Sequence, residues 1–440
     1  MIDDLLSLAG EAVSHALKLG ADAAHAVAAD GRSTEISILD GKIEKLEQAE
    51  ARDISLKVYA GKSSATISGS VLTSEAIHRL AENALRMARL APPDPFAGVA
   101  DPAQLAKDIP DLDLAADDMP GPKALEDMAR RAEAAAMAVP GVSKSSGAGA
   151  SASDTRMGIV ISNGFSQGYR RTGTGVAMSA IAGEGLGMQR DYDYASAVHF
   201  ADLRDPEEVG RTAGERAARR VGPRKVKSQS VPVIYDRRVA SGLIGHVLAA
   251  INGAAVARGT SFLKDALGTE VFGPHITIVE DPFIRRGHGS RPFDGEGLAC
   301  HRRNLVDKGV LTGWLLDLRS ARQLGLPPTG QGSRGGPTTS NVWLPAGPQS
   351  PEEQIRGIAQ GLYVTELIGS SINNVTGDYS RGASGFWIEN GELAYPVSEI
   401  TIAGNLKDMF RTIEPASNLE FRAAVNAPNC LVEGLTIAGV

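Results

Sequence analysis

Apolar positions over the first ninety residues follow two successive periods. Leu5, Leu6, Ala9, Val13 and Leu17 recur at helical spacing, with Asp3 and Asp4 at the positive end and Gly20 just past the last turn. The spacing predicts a helix over about residues 3–19. Between Ala24 and Ser70 the period becomes two. The runs Glu35-Ile36-Ser37-Ile38-Leu39 and Lys42-Ile43-Glu44-Lys45-Leu46, joined by Asp40-Gly41, predict a β-hairpin from their turn chemistry. Ile54, Leu56 and Val58 alternate ahead of Gly61-Lys62 and predict a second hairpin. Thr73-Ser74-Glu75 then opens a helix with Ile77, Leu80, Ala81, Ala84 and Ala88 on one stripe, ended by Pro92-Pro93.

Residues 94–122 are rich in Pro and Asp and lack either period, as in a linker or a surface wrap. Residues 123–139, with seven alanines among seventeen, predict a helix that stops at Pro140-Gly141. Strands are expected around a turn at Asn163-Gly164, through Tyr169 to Ile181, and from Tyr192 to Phe200. Asp205-Pro206-Glu207-Glu208 starts a helix reaching about Arg220. The basic cluster of Arg216, Arg219 and Arg220, followed by Arg224, Lys225 and Lys227, reads as a solvated helix end at a domain boundary.

Beyond that boundary, Val231-Pro232-Val233-Ile234-Tyr235 predicts a strand, and Asp236 caps a helix of about residues 237–257. Short alternating runs follow, including Ile276-Thr277-Ile278-Val279 and a hairpin at Asp307-Lys308-Gly309, interrupted by one helix at about 350–362. Around Glu389-Asn390-Gly391-Glu392, the runs Gly385-Phe386-Trp387-Ile388 and Leu393-Ala394-Tyr395-Pro396-Val397 predict another hairpin, with Ser398-Glu399-Ile400-Thr401-Ile402 as a third strand-like run. The fold class is α+β: an N-terminal helix and antiparallel-sheet region, then a mostly antiparallel, glycine-rich β C-terminal domain. The expected division is an α+β unit at 1–93, a Pro/Asp-rich linker at 94–122, a second α+β unit at 123–226 and the C-terminal domain at 227–440.

Composition narrows the function classes. A chain of 440 residues with a net charge of −7 has no basic footprint for a nucleic acid, so no direct nucleic-acid partner is expected. Two cysteines, Cys300 and Cys430, cannot build a disulfide framework or an all-thiolate zinc site. No apolar run approaches the length of a membrane span, and the acidic start Met1-Ile2-Asp3-Asp4 lacks an apolar signal region; a cytoplasmic address without membrane association is expected.

The stretch from Gly377 to Met409, with Thr365-Glu366-Leu367-Ile368-Gly369 before it and Leu435-Thr436-Ile437-Ala438-Gly439 at the end, closely resembles the TldD/PmbA family in its PmbA (TldE) branch. The resemblance covers nearly the whole chain. It implies a metallopeptidase-related protein, so the first question is the metal. The TldD branch carries zinc on an HExxxH helix upstream of an arginine-glycine-threonine-serine run, present here as Arg258-Gly259-Thr260-Ser261. Counted back from that run, the motif falls on Ile244-Gly245-His246-Val247-Leu248-Ala249, with Ile244 and Ala249 at the histidine positions and Gly245 at the glutamate. The family's third ligand is a cysteine near the C-terminus. Cys430 is close to that region but on an apolar strand position. No catalytic or metal-binding residue is therefore expected in this chain.

The resemblance implies a non-metal subunit, inactive alone, of a TldD-TldE type cytoplasmic protease acting on unfolded or small modified peptides. A TldD-like partner would supply the zinc in a heterodimer, and the chain alone would form a homodimer. The polar, glycine-flanked Asp378-Tyr379-Ser380-Arg381 supplies the candidate peptide-binding residues Asp378, Tyr379 and Arg381, with the following hairpin lining a cleft that takes an extended peptide as an added strand. Two alternatives stand beside this. One is a homo-oligomeric metallopeptidase using His288, Asp294, Glu296, Cys300 and His301, whose residue types suit zinc but whose spacing matches no template. The other is a non-catalytic regulator linked to DNA gyrase through protein contacts. Gly330-Gln331-Gly332-Ser333-Arg334-Gly335 matches GxGxxG but does not join a strand to a helix, so it carries no dinucleotide reading.

Overall fold

The computed structural model describes residues 1–439. Its N-terminal half follows the two periods of the sequence. Helix α1 (Ile2–Lys18) buries Leu5, Ala9, Ala12, Val13 and Ala16. Strands β1 (Ala23–Leu39), β2 (Lys42–Ala60) and β3 (Ser63–Gly69) turn at Asp40-Gly41 and Gly61-Lys62. Asp40 and Gly41 both have positive φ, 50° and 70°, as the favoured two-residue hairpin turn requires. Helix α2 (Ser74–Leu90) starts where the Thr73 hydroxyl accepts the Ala76 N–H. After a non-regular segment come α3 (Pro122–Met137), β4 (Val142–Ile161), β5 (Ser166–Ala182), β6 (Gln189–Ala197) and α4 (Pro206–Arg219), the last capped by Asp205.

The first and second units share one sheet. Strand order is β3-β2-β1-β4-β5-β6, all antiparallel, because β1 pairs with β4 from His25↔Ile161 to Ile38↔Ala148. Period-two patterning then assigns the faces. Even positions such as Ala24, Ala26, Ala28, Ile54, Leu56 and Val58 pack under α1 and α2, and Ile36, Ile38, Ala148 and Ala150 pack under α3 and α4. All four helices lie on one face, which leaves the odd positions of β1, β2 and β4 for something else to cover.

Helices α3 and α4 approach closely at Gly210, where a Cβ would overlap the backbone of Ala132. Alanine normally gains about 1 kcal/mol over glycine inside a helix. Here the sign is expected to reverse: Gly210→Ala should lower stability by about 1–3 kcal/mol, as overpacked cores do, measured by urea unfolding against wild type.

The C-terminal half contains β7 (Gln229–Tyr235), α5 (Arg237–Ala250), α6 (Gly253–Ala257), β8 (Ile278–Asp281), β9 (Arg303–Asp307), β10 (Val310–Leu311) and α7 (Leu318–Leu324). It continues with β11 (Asn341–Trp343), α8 (Pro351–Arg356), β12 (Gln360–Ile372), β13 (Asp378–Glu389), β14 (Glu392–Asn405), α9 (Leu406–Thr412), β15 (Glu414–Pro415), β16 (Val425–Asn426) and β17 (Cys430–Ala438). A small sheet runs β10-β9-β8-β11-β16, and a larger one runs β14-β13-β12-β7-β17-β15. Because β14 also pairs with β17, at Thr401↔Ala438 through Ala403↔Thr436, five strands of the larger sheet close on themselves. Helix α5 packs into the same core through Ala240, Leu243, Ile244 and Val247.

Several expectations change in this half. The helix expected over 237–257 breaks at Asn252, whose side chain accepts the Ala254 and Ala255 N–H groups and so caps α6 as a new helix. The helix expected over 350–362 ends at Arg356, and Leu362 lies in β12, fully buried. Helices α7 and α9 were not anticipated. The run Ser398–Ile402 is not a third strand: it continues β14 past a register shift, with Glu399 at φ 57°.

The basic cluster is a solvated helix end only in part: Arg219, Arg224, Lys225 and Lys227 are exposed, whereas Arg216 and Arg220 turn inward. Arg220 is buried between Asp191 of β6 and Glu366 of β12, at 3.5 and 2.6 Å. Arg216 pairs with buried Asp193 at 2.8 Å. Arg219 lies 5.2 Å over the Phe386 ring, and Arg224 lies 4.6 Å over Tyr395. Acidic partners on β6 and β12, distant in sequence, turn Arg216 and Arg220 inward.

The Pro/Asp-rich segment is a wrap across both halves. Arg322 of α7 donates to the carbonyls of Phe96, Gly98 and Val99. The Ala106 N–H donates to Gly297 O at 2.9 Å, and the Thr172 N–H donates to Leu114 O at 2.9 Å. Among the described residues no helix is long and apolar enough to cross a membrane.

Candidate functional site

Helix α5 and the start of β13 meet at the end of the closed sheet. The Asp236 carboxylate caps α5 by accepting the Arg238 N–H at 2.9 Å. It also accepts the Tyr363 hydroxyl at 2.7 Å, which in turn accepts from Asn429 at 3.0 Å. This network fixes the helix start against β12 and the chain before β17. Further along α5, the His246 ring meets Tyr379 edge-on at a centroid distance of 5.8 Å. Burial first, and the Arg381 charge second, push the His246 imidazole below its ordinary value, so it is neutral at pH 7. The hydroxyls of Tyr235 and Tyr379 are buried facing each other, and the Nε of Arg381 is buried without a hydrogen-bond partner. Unpaired buried donors are costly and uncommon, and Arg381 Nε is one of a few in the C-terminal half, with Arg291 Nε and Arg303 Nη2.

The three candidate peptide-binding residues occupy different environments. Asp378 is exposed and accepts from Thr376 and Asn405 at 2.6 and 3.1 Å, which draws its carboxyl below the usual range. Tyr379 is buried, and Arg381 is half-buried. Asp378 and Arg381 do not pair; Arg381 faces α5 instead. Strand β13 is hydrogen-bonded to β12 on one side and β14 on the other, with Tyr379 opposite both Ile372 and Gly404. Its main chain therefore has no free edge for an added strand, and any contact with a peptide is made by side chains.

The donor set at α5 does not fit zinc. Ile244 is in the core, Gly245 has no side chain and Ala249 is an exposed methyl. Cys430 is fully buried opposite Tyr235 in the β7–β17 ladder, its Sγ 3.3 Å from Pro428 O, and burial pushes its thiol well above the usual range. An aliphatic side chain, a glycine, a methyl and a protonated thiol offer no ligand sphere.

The stretch His288 to His301 is dispersed. His288 lies beside Arg171 at a separate surface hollow, and His301 is exposed. Cys300 is buried with its Sγ 3.2 Å from Gly330 O, and burial pushes its thiol up to about 12. Asp294 and Glu296 share one cavity. Among the described residues no group of three or more His, Cys, Asp or Glu side chains is gathered as a metal site.

Asp294 accepts three backbone N–H groups, from Glu296, Leu298 and Gly332, at 2.7–2.9 Å. Burial still pushes its carboxyl up to about 6. Glu296 accepts the Leu318 N–H at 2.8 Å, and burial, with Asp294 second, pushes it up to about 8. Unfolded glutamic acid loses its proton near 4.5, so between 4.5 and 8 the folded protein binds the extra proton and stability falls as pH rises. Neighbouring His25, pushed down to about 4 from 6.5, acts in the opposite sense below 6.5, and Asp294 acts below about 6. Glu296 is thus the group of this cluster that acts from 6.5 to 8. The urea midpoint should fall across that range in wild type and stay flat in Glu296→Gln; equal slopes in both would refute the assignment.

Comparison with known proteins places this geometry. Three models of one family cover the chain in order: the PmbA/TldA metallopeptidase domain 1 at residues 26–88, the central domain at 116–221 and the C-terminal domain at 228–439. The chain belongs to the PmbA/TldD family, in its PmbA (TldE) branch. It is 40% identical over 438 residues to "Metalloprotease PmbA" of Escherichia coli O157:H7, covering 98% of this chain and 96% of that one. A "Metalloprotease PmbA homolog" of Haemophilus influenzae is 36% identical over 446 residues, with the same coverage. Among solved structures, a Bacteroides thetaiotaomicron protein described as a "putative modulator of DNA gyrase" superposes with a TM-score of 0.93 at 28% identity over all of both chains. TldE from Thermococcus kodakarensis has a TM-score of 0.87 at 22% identity, covering 98% of this chain and all of that one. The α+β architecture is thus that of the PmbA (TldE) branch.

Reasoning from sequence missed two groups at these places. His25 and Lys57 lie within strands read only for their even-numbered apolar face, yet Val27, Ile159 and Ile161 on the same odd-numbered face as these two are apolar too. A strand apolar on both faces signals a second covered face. The other miss, Arg291, lies in a loop with no pattern to expose it.

Proposed function

We propose that this PmbA/TldE-family chain is the non-metal-binding subunit of a cytoplasmic TldD-TldE type protease acting on unfolded or small modified peptides. The observation that carries this reading is the donor set of α5: Ile244, Gly245 and Ala249 stand where a TldD-type helix carries its HExxxH side chains, and Cys430 is a buried strand residue. Metal chemistry, the activation of a water for attack on a peptide carbonyl, belongs in this reading to the homologous partner.

This chain contributes the wall that holds the peptide. Arg381, half-buried, brings a positive charge to the face of α5, next to neutral His246. These groups suit carbonyl and carboxylate oxygens of a peptide main chain. In the assembled complex, Arg381→Ala should raise KM for a peptide substrate about tenfold with an unchanged melting temperature, in line with loss of a hydrogen bond to a charged group.

The reading is tested by co-expressing this chain with a TldD-like subunit, isolating each by size exclusion and assaying peptide cleavage. Activity confined to a mixed complex supports it. A fully active isolated chain, or two subunits that never co-elute, refutes it.

A further inference from the structure

The odd-numbered face of the N-terminal sheet, left bare by α1 to α4, roofs a hollow that nothing in the family reading uses. A cavity of about 420 Å³ lies between that face and the loops carrying Val99, Phe293, Glu296 and Ser333. Its size falls in the range of small-molecule sites. The register of β1, β2 and β4 places its residues in rows. Thr66, Lys57, His25 and Ile161 form one row; Ser55, Val27 and Ile159 the next; Asp53, Ala29 and Met157 the third.

The cavity is therefore two-ended. Toward β4 and β5 it is apolar, closed by Phe293, which packs edge-on against Phe165 and Tyr169 at 5.1 and 5.5 Å. Toward β2 it is polar and holds buried nitrogens without partners. Lys57 is half-buried, lies 5.2 Å over the Tyr59 ring and forms no ion pair among the described residues. His25 Nε2, directly across the ladder from Lys57, is sealed from solvent without a partner, and so is Arg291 Nε. Asp53 on the same face is exposed and Asp94 lies near Lys57, but neither forms an ion pair with it; of the two buried acids, Asp294 is ionised at pH 7. Asp294 is engaged by three N–H groups, and Glu296, pushed up to about 8, holds its proton at pH 7.

We propose that this cavity binds a small apolar carboxylate, its aliphatic body over Val27, Ala29 and Ile159 and its carboxylate received by Lys57 and His25. The ligand supplies the Lys57 ammonium with an ion-pair partner and the His25 Nε2–H tautomer with an acceptor, and covers the apolar half of the sheet face. Two sources share this chemistry: a free aliphatic acid and the C-terminal residue of a short apolar peptide.

Isothermal titration calorimetry of the full chain at pH 7 tests this with octanoate, acetyl-Leu-Leu and octylamine as probes. Saturable one-to-one binding of octanoate alone supports a free acid as the source, tighter binding of acetyl-Leu-Leu supports a peptide terminus, and octylamine should not saturate. Lys57→Met keeps the aliphatic stem and should weaken the better-binding anion by about tenfold or more. Ala29→Trp, placed in the apolar floor, should abolish its binding, with melting temperatures confirming that both variants fold. The proposal is overturned if neither anion saturates, if octylamine binds as tightly as octanoate, if Lys57→Met leaves affinity unchanged, or if folded Ala29→Trp still binds.

Discussion

Asp193→Ala is expected to destabilise this protein by about 3–5 kcal/mol, the cost of removing one partner from a buried ion pair. Asp193 sits on β6, is 1% exposed and receives three guanidinium groups: Arg204, Arg216 at 2.8 Å and Arg422 at 3.5 Å. Arg216 belongs to α4, whereas Arg422 comes from the loop before β16, so this one carboxylate ties the N-terminal sheet to the C-terminal half. Two residues earlier, Asp191 repeats the arrangement with Arg220 at 3.5 Å and Arg238 of α5 at 2.8 Å. Taking away the Asp193 anion leaves three arginines facing one another in a poorly solvated space. Because the network spans both halves, loss should also separate their unfolding. Urea denaturation followed by two probes, near-ultraviolet circular dichroism and limited proteolysis, should show one transition in wild type and two in the variant. A variant within 1 kcal/mol of wild type would mean that water reaches these arginines freely.

Glu280→Ala should have a similar cost, about 3–5 kcal/mol, with a local signature. The Glu280 carboxylate, 2% exposed, accepts from the Ser340 N–H at 2.9 Å, the Ser340 hydroxyl, Gln331, and Arg303 at 3.1 Å. It is the anchor of residues 331–340, a loop with no regular structure that forms part of the cavity wall through Gly332 and Ser333. Burial already presses the Arg303 guanidinium toward its neutral form, opposed by the Glu280 charge. Without Glu280, the Arg303 Nε and the Ser340 N–H both lose their acceptor, and Arg303 keeps only the Trp314 carbonyl. Hydrogen exchange should accelerate in 331–340 well before the N-terminal sheet is affected. Uniform acceleration through the molecule would contradict this local role.

Local chemistry in the sequence carries local structure well. The turns Asp40-Gly41, Asn163-Gly164 and Asn390-Gly391 are each found between paired strands, with positive φ at Asp40, Gly41, Gly164, Asn390 and Gly391. Thr73 and Asp205 likewise start the helices expected of them. The failures are tertiary. In Asp191-Tyr192-Asp193-Tyr194 hydrophobicity would turn the tyrosines inward, yet both aspartates are buried and both tyrosines are at least 36% exposed, because arginines from α4, α5 and the C-terminal half meet that face. The same partners explain why Arg216 and Arg220 did not read as interior residues. The break in α5 was visible as Asn252-Gly253, a cap in a run otherwise apolar enough to hide it. At the candidate site, the aliphatic and glycine positions of α5 were readable through resemblance. The approach of His246 to Tyr379 and Arg381 depends on how the helix rolls against a closed sheet, which spacing along the chain does not encode.

Zinc content is the most direct test of the account, measured by elemental analysis on the purified chain alone and on its complex with a TldD-like subunit, with peptidase activity followed on the same samples. The account predicts a lone chain without stoichiometric zinc or activity, and a complex holding both. Stoichiometric zinc with activity in the lone chain would contradict it and would require ligands that the α5 face and Cys430 do not provide.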